Sequence, residues 1–171
     1  MPFVYTVPHT IASGELVSVA TMNNEWGGNI TSLFNPPACR ITNNANQSIP
    51  NSADTALTFN TELFDTDAMH STASLTDRIT INTAGLYLII GTVEWATAVN
   101  GSVKVILNGV STVGFSSIAA NSSRQVVTTL YKAAVGDYFQ LVVAQFSGGA
   151  VNSNTAASYA PIFSAVWVGL G

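Results

Sequence analysis

The sequence predicts an all-β sandwich behind a short N-terminal arm, and three observations carry that prediction. From about residue 39 onward the chain is a series of short β-rich runs separated by turn clusters, with no room for a ten-residue helix. Asn108-Gly109 stands between two of these runs, and its tolerance of positive φ at both positions closes a two-residue hairpin. Finally, only five Lys/Arg and nine Asp/Glu serve 171 residues, 8% against roughly 25% in an ordinary soluble domain, although 47% of residues are hydrophobic. Asn, Ser and Thr hold water where charges are missing. Even so, the composition predicts that one large face is covered by further copies of the chain.

The elements follow in order. After a β-like Phe3–Val7, the stretch Val19–Leu33 places Met22, Trp26, Ile30 and Leu33 at spacings of four, four and three, a helical stripe with Ser18 available as N-cap. Gly27-Gly28 weakens this helix by about 1 kcal/mol per glycine relative to alanine, so it is marginal alone and needs a surface to fold against. Pro36-Pro37 ends it and stiffens the boundary. Residues 1–36 are therefore read as a docking arm, the alternative being that they pack along their own sandwich, and residues 37–171 as the sandwich.

The β-runs are Cys39–Thr42, Thr55–Asn60, Arg78–Asn82, Gly85–Trp95, Ser102–Leu107, Val110–Phe115, Arg124–Lys132, Asp137–Phe146 and Ser158–Val168. Loops fall at Asn43–Asn46, Asn100-Gly101, Asn121–Ser123 and Ser147–Asn154. Several runs are apolar on both faces. In Tyr138–Phe146, Phe139, Leu141 and Val143 alternate with Tyr138, Val142, Ala144 and Phe146; in Ile162–Val168, Phe163, Ala165 and Trp167 alternate with Ile162, Val166 and Val168. An antiparallel sandwich has one core face and normally one wet face, so a strand dry on both predicts a subunit interface.

Several function classes are disfavoured. The longest apolar run, Ala84–Val93, falls well short of the roughly 20 residues of a spanning helix, so membrane insertion is not expected. The first residues show neither a basic region nor a continuous apolar one, which predicts a chain that stays in the compartment where it is made. The sequons at Asn29, Asn46, Asn100 and Asn121 then read as polar loop residues. Cys39 reads as a small buried apolar residue rather than a nucleophile. A net charge of −4, with Arg40, Arg78, Lys104, Arg124 and Lys132 scattered singly, argues against nucleic acid.

His9 and His70 sit in no recognisable catalytic or zinc pattern, so no enzyme activity and no cofactor are expected. The loop carrying Glu62, Asp65, Asp67 and His70 offers carboxylates to a hard cation such as calcium. The simpler reading gives Asp65 and Asp67 backbone N–H groups to accept, with His70 capping the loop.

Three passages carry a family resemblance. RITINTAGLYLIIGTVEW (Arg78–Trp95) has a tight turn at Ala84-Gly85 before Leu86, Tyr87, Leu88 and Ile90; LYKAAVGDYFQLVV (Leu130–Val143) turns at Gly136-Asp137; YAPIFSAVWVGLG closes the chain as an aromatic strand. In this order they resemble the globular heads of the complement C1q and tumour-necrosis-factor-like superfamily. NQSIPNSADTALTFNTELFDTDAMHS is similar to the version found in bacteriophage structural proteins, and ASGELVSVATMNNEWGGNITSL resembles a leader that precedes such domains there.

The resemblance implies a ten-strand jelly roll in a homotrimer, with Leu86, Tyr87, Leu88 and Ile90 entering the core. Tyr87, Trp95, Phe139, Phe163 and Trp167 are the interface candidates, a one-residue slip exchanging each with its neighbour. It further implies a bacteriophage surface protein made in the host cytoplasm and displayed on the virion. Met22, Trp26, Ile30 and Leu33 would dock it to other virion proteins. Capsid decoration, as a head-fibre protein, is the expected role; a tail receptor-binding protein engaging a host surface glycan or protein is the alternative.

Overall fold

The arm helix forms where its cap and apolar spacing place it. In the computed structural model, which describes residues 10–155 and 160–171, the Ser18 Oγ accepts the Thr21 N–H at 3.1 Å and opens one α-turn, Val19–Thr21. The winding widens to π over Met22–Gly27 and returns to α over Gly28–Phe34, so the tandem glycine marks the junction. The expected Phe3–Val7 run, His9 and the start of the run at Ser158 lie outside the described residues.

Beyond the prolines come β1 (Ala38–Thr42), β2 (Ser48–Ile49), β3 (Thr55–Ala56), β4 (Thr61–Asp65) and β5 (Ile79–Thr80). They are followed by β6 (Gly85–Leu107), β7 (Ser111–Ala133), β8 (Tyr138–Gln145), β9 (Val151–Asn152) and β10 (Ile162–Gly169). All the pairings between these strands are antiparallel, and β2 with β9 forms a small separate ribbon. Three strands go beyond the sequence reading: β2, β4 and β9 are too short or too polar for a periodic signal.

Two of the strands each serve both layers. The first half of β6 pairs β10 and, through Gly85–Glu94, the end of β7; its second half, Gly101–Leu107, pairs β8 and the start of β7. One layer therefore runs β4-β1-β10-β6-β7 and the other β3/β5-β8-β6-β7. The register slips between Glu94 and Gly101, where β6 passes from one layer to the other. Gln125 holds that crossing: its Oε1 accepts the Trp95 indole N–H at 3.1 Å and its Nε2 donates to the Gly101 carbonyl at 3.0 Å, all within the core.

The layers close on an apolar core with Phe59 stacked on Phe163 and Tyr131 edge-on to Phe139, both at 5.8 Å between ring centroids. Turn chemistry seals the ends. Asn108 and Gly109 adopt φ 52° and 72°, as a two-residue hairpin requires. The Asn108 side chain also reaches the next turn, donating to Asp137 and accepting the Tyr138 N–H.

The outer face of the second layer is dressed with charge. Lys104 pairs with Asp54 at 2.6 Å, and Arg78 lies 4.1 Å above the Tyr138 ring while Asp77 accepts from its guanidinium. Partial burial works against ionisation of Asp77, but hydrogen bonds from Arg78, its positive charge and the Gln140 amide outweigh it and hold the carboxyl below its ordinary range.

Two predictions follow from this packing. A Cβ on Gly85, at φ 154°, would stand 2.0 Å from the Trp167 Nε1 and 2.6 Å from the Gly169 carbonyl, whereas one on Gly149 meets nothing within 4 Å. Gly85→Ala should cost about 3 kcal/mol or more in urea unfolding and Gly149→Ala less than about 1; equal effects would refute the close approach. Because the folded-state pKa of Asp77 is depressed, its contribution is complete near neutrality and is lost as the pH falls below about 4. Asp77→Asn should therefore narrow the gap in Tm between pH 7 and pH 3. An unchanged gap would remove Asp77 as a source of acid sensitivity.

Candidate functional site

Strand alternation decides which side chains are available to another molecule. In the first layer, Tyr87, Ile89, Val93 and Trp95 of β6, Phe163 and Ala165 of β10, and Cys39 and Ile41 of β1 all point inward and are buried. The intervening residues point outward, and the register lines them up across the strands. Ala38, Val166, Leu88 and Leu130 form one row; Thr42, Ile162, Thr92 and Val126 a second; Phe64, Arg40, Ser164, Ile90 and Thr128 a third.

The result is an apolar outer face built on β1, β10, β6 and β7, with Phe64 of β4 at its edge. Val126, Leu130 and Phe64 are 46, 59 and 45% exposed, and Leu88, Ile90, Ile162 and Val166 are partly exposed. Two of its charged groups stand at the ends, Glu94 paired with Arg124 at 2.6 Å and Lys132 donating to the Gly171 carbonyl, while Arg40 is exposed in the central row between Phe64 and Ser164.

The interface candidates chosen from sequence need correcting on this geometry. Tyr87, Trp95, Phe139 and Phe163 have at most 1% exposure in a single chain and offer no surface to a second copy. Only Trp167 keeps partial exposure, its indole N–H donating to the Ala84 carbonyl at 3.3 Å. Leu86, Leu88 and Ile90, read as core, face outward instead. A two-layer sandwich needs the volume of these aromatic rings inside. The usable signal was charge parity, because Glu94, Arg124, Lys132 and Arg40 all share the parity of the outward set. On the second apolar face of the Tyr138–Phe146 run, Val142 and Ala144 are already buried within the chain, while Tyr138 is partly exposed and Phe146 is 55% exposed.

The arm presents a second apolar surface. Met22, Trp26, Ile30 and Leu33 are 44, 55, 54 and 75% exposed, and Val19–Gly27 contains no buried residue. The arm therefore does not pack its stripe along its own sandwich. Its root is fixed, since Thr66 Oγ1 lies 2.8 Å from the Pro36 carbonyl and accepts the Ala38 N–H, while Pro37 accepts the Trp167 N–H at 2.9 Å.

The acidic loop is built for its own backbone. Asp65 accepts the Asp67 N–H at 3.1 Å and the His70 N–H at 2.9 Å, and the Asn82 amide donates to the carbonyls of Asp67 and Ala68. That clamp holds Ala68 at φ 51°. His70 caps the loop, Nδ1 standing 2.9 Å from the Arg78 carbonyl and Nε2 3.3 Å from that of Phe59. Glu62, Asp65, Asp67 and His70 share one surface cavity, but among the described residues no three His, Cys, Asp or Glu side chains converge as metal ligands. Cys39 is buried, and desolvation with the nearby Asp65 and Glu62 charges pushes its thiol upward, away from nucleophilic use. No helix among the described residues is long and apolar enough to cross a membrane.

No protein-family model matches the sequence, and no curated protein sequence matches it. Solved structures do match. The globular domain of zebrafish complement 1qA protein aligns with TM-score 0.53 and 15% identity over 79% of this chain and 99% of that one. Murine APRIL at pH 5.0 aligns with TM-score 0.57 and 11% identity over 77% and 98%, and at pH 8.0 with 0.51 and 10% over the same shares. At these identities the likeness shows the fold, a C1q/TNF-like jelly roll.

Proposed function

We propose that the protein is a non-enzymatic surface protein of a bacteriophage virion, a homotrimer of jelly rolls that coats or reinforces the capsid as a decoration or head-fibre protein. The observation that carries the trimer is the contrast between the two outer faces. One carries the Lys104–Asp54 and Asp77–Arg78 pairs beside an exposed Phe115; the other keeps its Glu94–Arg124 pair at one end and presents Leu88, Ile90, Val126, Leu130, Ile162 and Val166 to water. A cyclic assembly joins one patch of each copy to a different patch of the next. The apolar face suits it, with Leu63 and Phe64 exposed at its β4 edge and Val126 and Leu130 at its β7 edge.

The virion assignment is supported by the phage-like passage Asn46–Ser71 and by the leader-like Ala12–Leu33. Attachment belongs to the arm, whose exposed stripe Met22, Trp26, Ile30 and Leu33 is its apolar determinant. Of the acidic-loop groups, Asp65 and His70 are engaged by backbone, which favours a structural role for that loop; the Asp67 Oδ2 is buried there without a hydrogen-bond partner.

The trimer is tested on the face itself. Leu88→Glu should leave far-UV circular dichroism unchanged and reduce the native mass from three chains to one, whereas Thr112→Glu, on the outer side of the other layer, should leave three. A Leu88→Glu variant that stays trimeric would place the interface elsewhere. The virion role is tested on particles. Those lacking the protein should adsorb to cells normally and lose resistance to heat, and excess free protein should not block infection. Strong competition by free protein would instead assign it to the tail as a receptor-binding protein for a host glycan or protein.

A further inference from the structure

We infer that the three arms of a trimer pack their helices against one another, with Met22, Trp26, Ile30 and Leu33 forming the seam of a short three-helix bundle at the base of the jelly rolls. The inference rests on the trimer reading above and deepens its account of attachment. In a bundle the stripe faces the other two arms, so the particle meets the outer sides of the helices instead of the stripe itself.

The winding of the helix is the first support. Residues four apart on an α-helix drift by about 40° per step, so a stripe at 22, 26 and 30 would wrap around the cylinder and lose a partner. A π-turn takes more than four residues, and the π-wound segment covers Met22–Gly27. It therefore turns the drift back and lines Met22, Trp26 and Ile30 along one side, with Val19 and Leu33 completing spacings of three, four, four and three. That is the seam of packed helices rather than the broad stripe of a helix lying on a sheet.

The second support is energetic. The segment Val19–Phe34 carries one charge, Glu25, and two tandem glycines, and it is barely long enough to persist in water alone. Its large apolar side chains are exposed in the single chain. Like-charge repulsion between copies is small, and burial on association supplies the stabilisation the helix lacks.

Geometry names the occupant. The arm leaves the sandwich at Ala38, which sits in the same row as Val166, Leu88 and Leu130, toward the Leu86 and Lys132 end of the proposed interface. Pro37 is tied to Trp167, one residue beyond that row, and Val168 and Leu170 continue the apolar surface at 49% exposure each. Three copies packed on this face bring three identical, anchored roots to one end of one axis, and two prolines leave the helices little freedom to diverge. The neighbours already held at high local concentration are the other two arms.

Cysteine cross-linking in the full chain tests the bundle, because the native Cys39 is buried and silent. Met22→Cys lies in the seam; Asn24→Cys lies on the opposite side of the helix. Both sites are exposed, so neither substitution disturbs the fold, and native mass is measured on each. Under mild oxidation Met22→Cys should convert about two in three chains to covalent dimers, since a threefold axis pairs two cysteines and leaves the third. Asn24→Cys should react at least about tenfold more slowly, its sulfurs being held apart. A trimer that cross-links at neither site, or equally at both, overturns the bundle and leaves the trimer standing. A monomeric mass overturns both.

Discussion

The structure depends on one constraint: the hairpin of β6 and β7 must line both layers of the sandwich, so its alternation can be satisfied in only one register. Every odd residue from Tyr87 to Trp95 is committed to the core, and the even ones face outward. At the crossing, where a ladder would otherwise break, Gln125 ties the Trp95 indole to the Gly101 carbonyl. Shift the register by one and the core side chains Tyr87, Ile89, Val93 and Trp95 would trade places with Leu86, Leu88, Ile90, Thr92 and Glu94. The glycines enforce the same choice: a Cβ on Gly91 would stand 2.2 Å from Leu141 Cδ1, so the two layers interlock there. The outer face is thus a by-product of the core, and its apolar character is what remains to be explained by a partner.

Much of the architecture was legible in the residues because turn chemistry is local. Asn108-Gly109, Gly136-Asp137 and Ala84-Gly85 each need particular backbone angles, and the positive φ of Asn108, Gly109, Gly136 and Gly85 shows them used as such. Ser18 and the Met22–Leu33 spacing likewise located the helix, though its π winding was not visible, since it arises from how successive turns settle rather than from any one residue. The short strands β2, β4 and β9 escaped because pairing, not composition, makes them strands; Thr61–Asp65 contains two acids and joins the sheet only through β1.

The candidate site was less legible. Tyr87, Trp95, Phe139 and Phe163, expected at the interface, are core instead, because large rings are what a two-layer core consumes first. Face assignment is a question of parity, and parity in a strand apolar on both sides can be set only by residues that cannot be buried. Arg40, Glu94, Arg124 and Lys132 were those residues. Half of the acidic loop was legible at the level of its turn: Asp65 accepts the two N–H groups that a tight reversal through Ala68 would otherwise leave unpaired, whereas Asp67, expected to accept a backbone N–H as well, has its Oδ2 buried without a hydrogen-bond partner.

The apolar outer face and the stiffly rooted arm of this jelly roll are what support the proposed trimer, on which the proposed display on a particle rests. Sedimentation equilibrium of the full chain at micromolar concentration and moderate salt tests that trimer most directly. The account predicts a single species of three times the 17.9 kDa chain mass, unchanged on dilution and insensitive to salt because the contact is apolar. A stable species of 17.9 kDa would contradict it, leaving the outer face of β1, β10, β6 and β7 without the partner its composition demands.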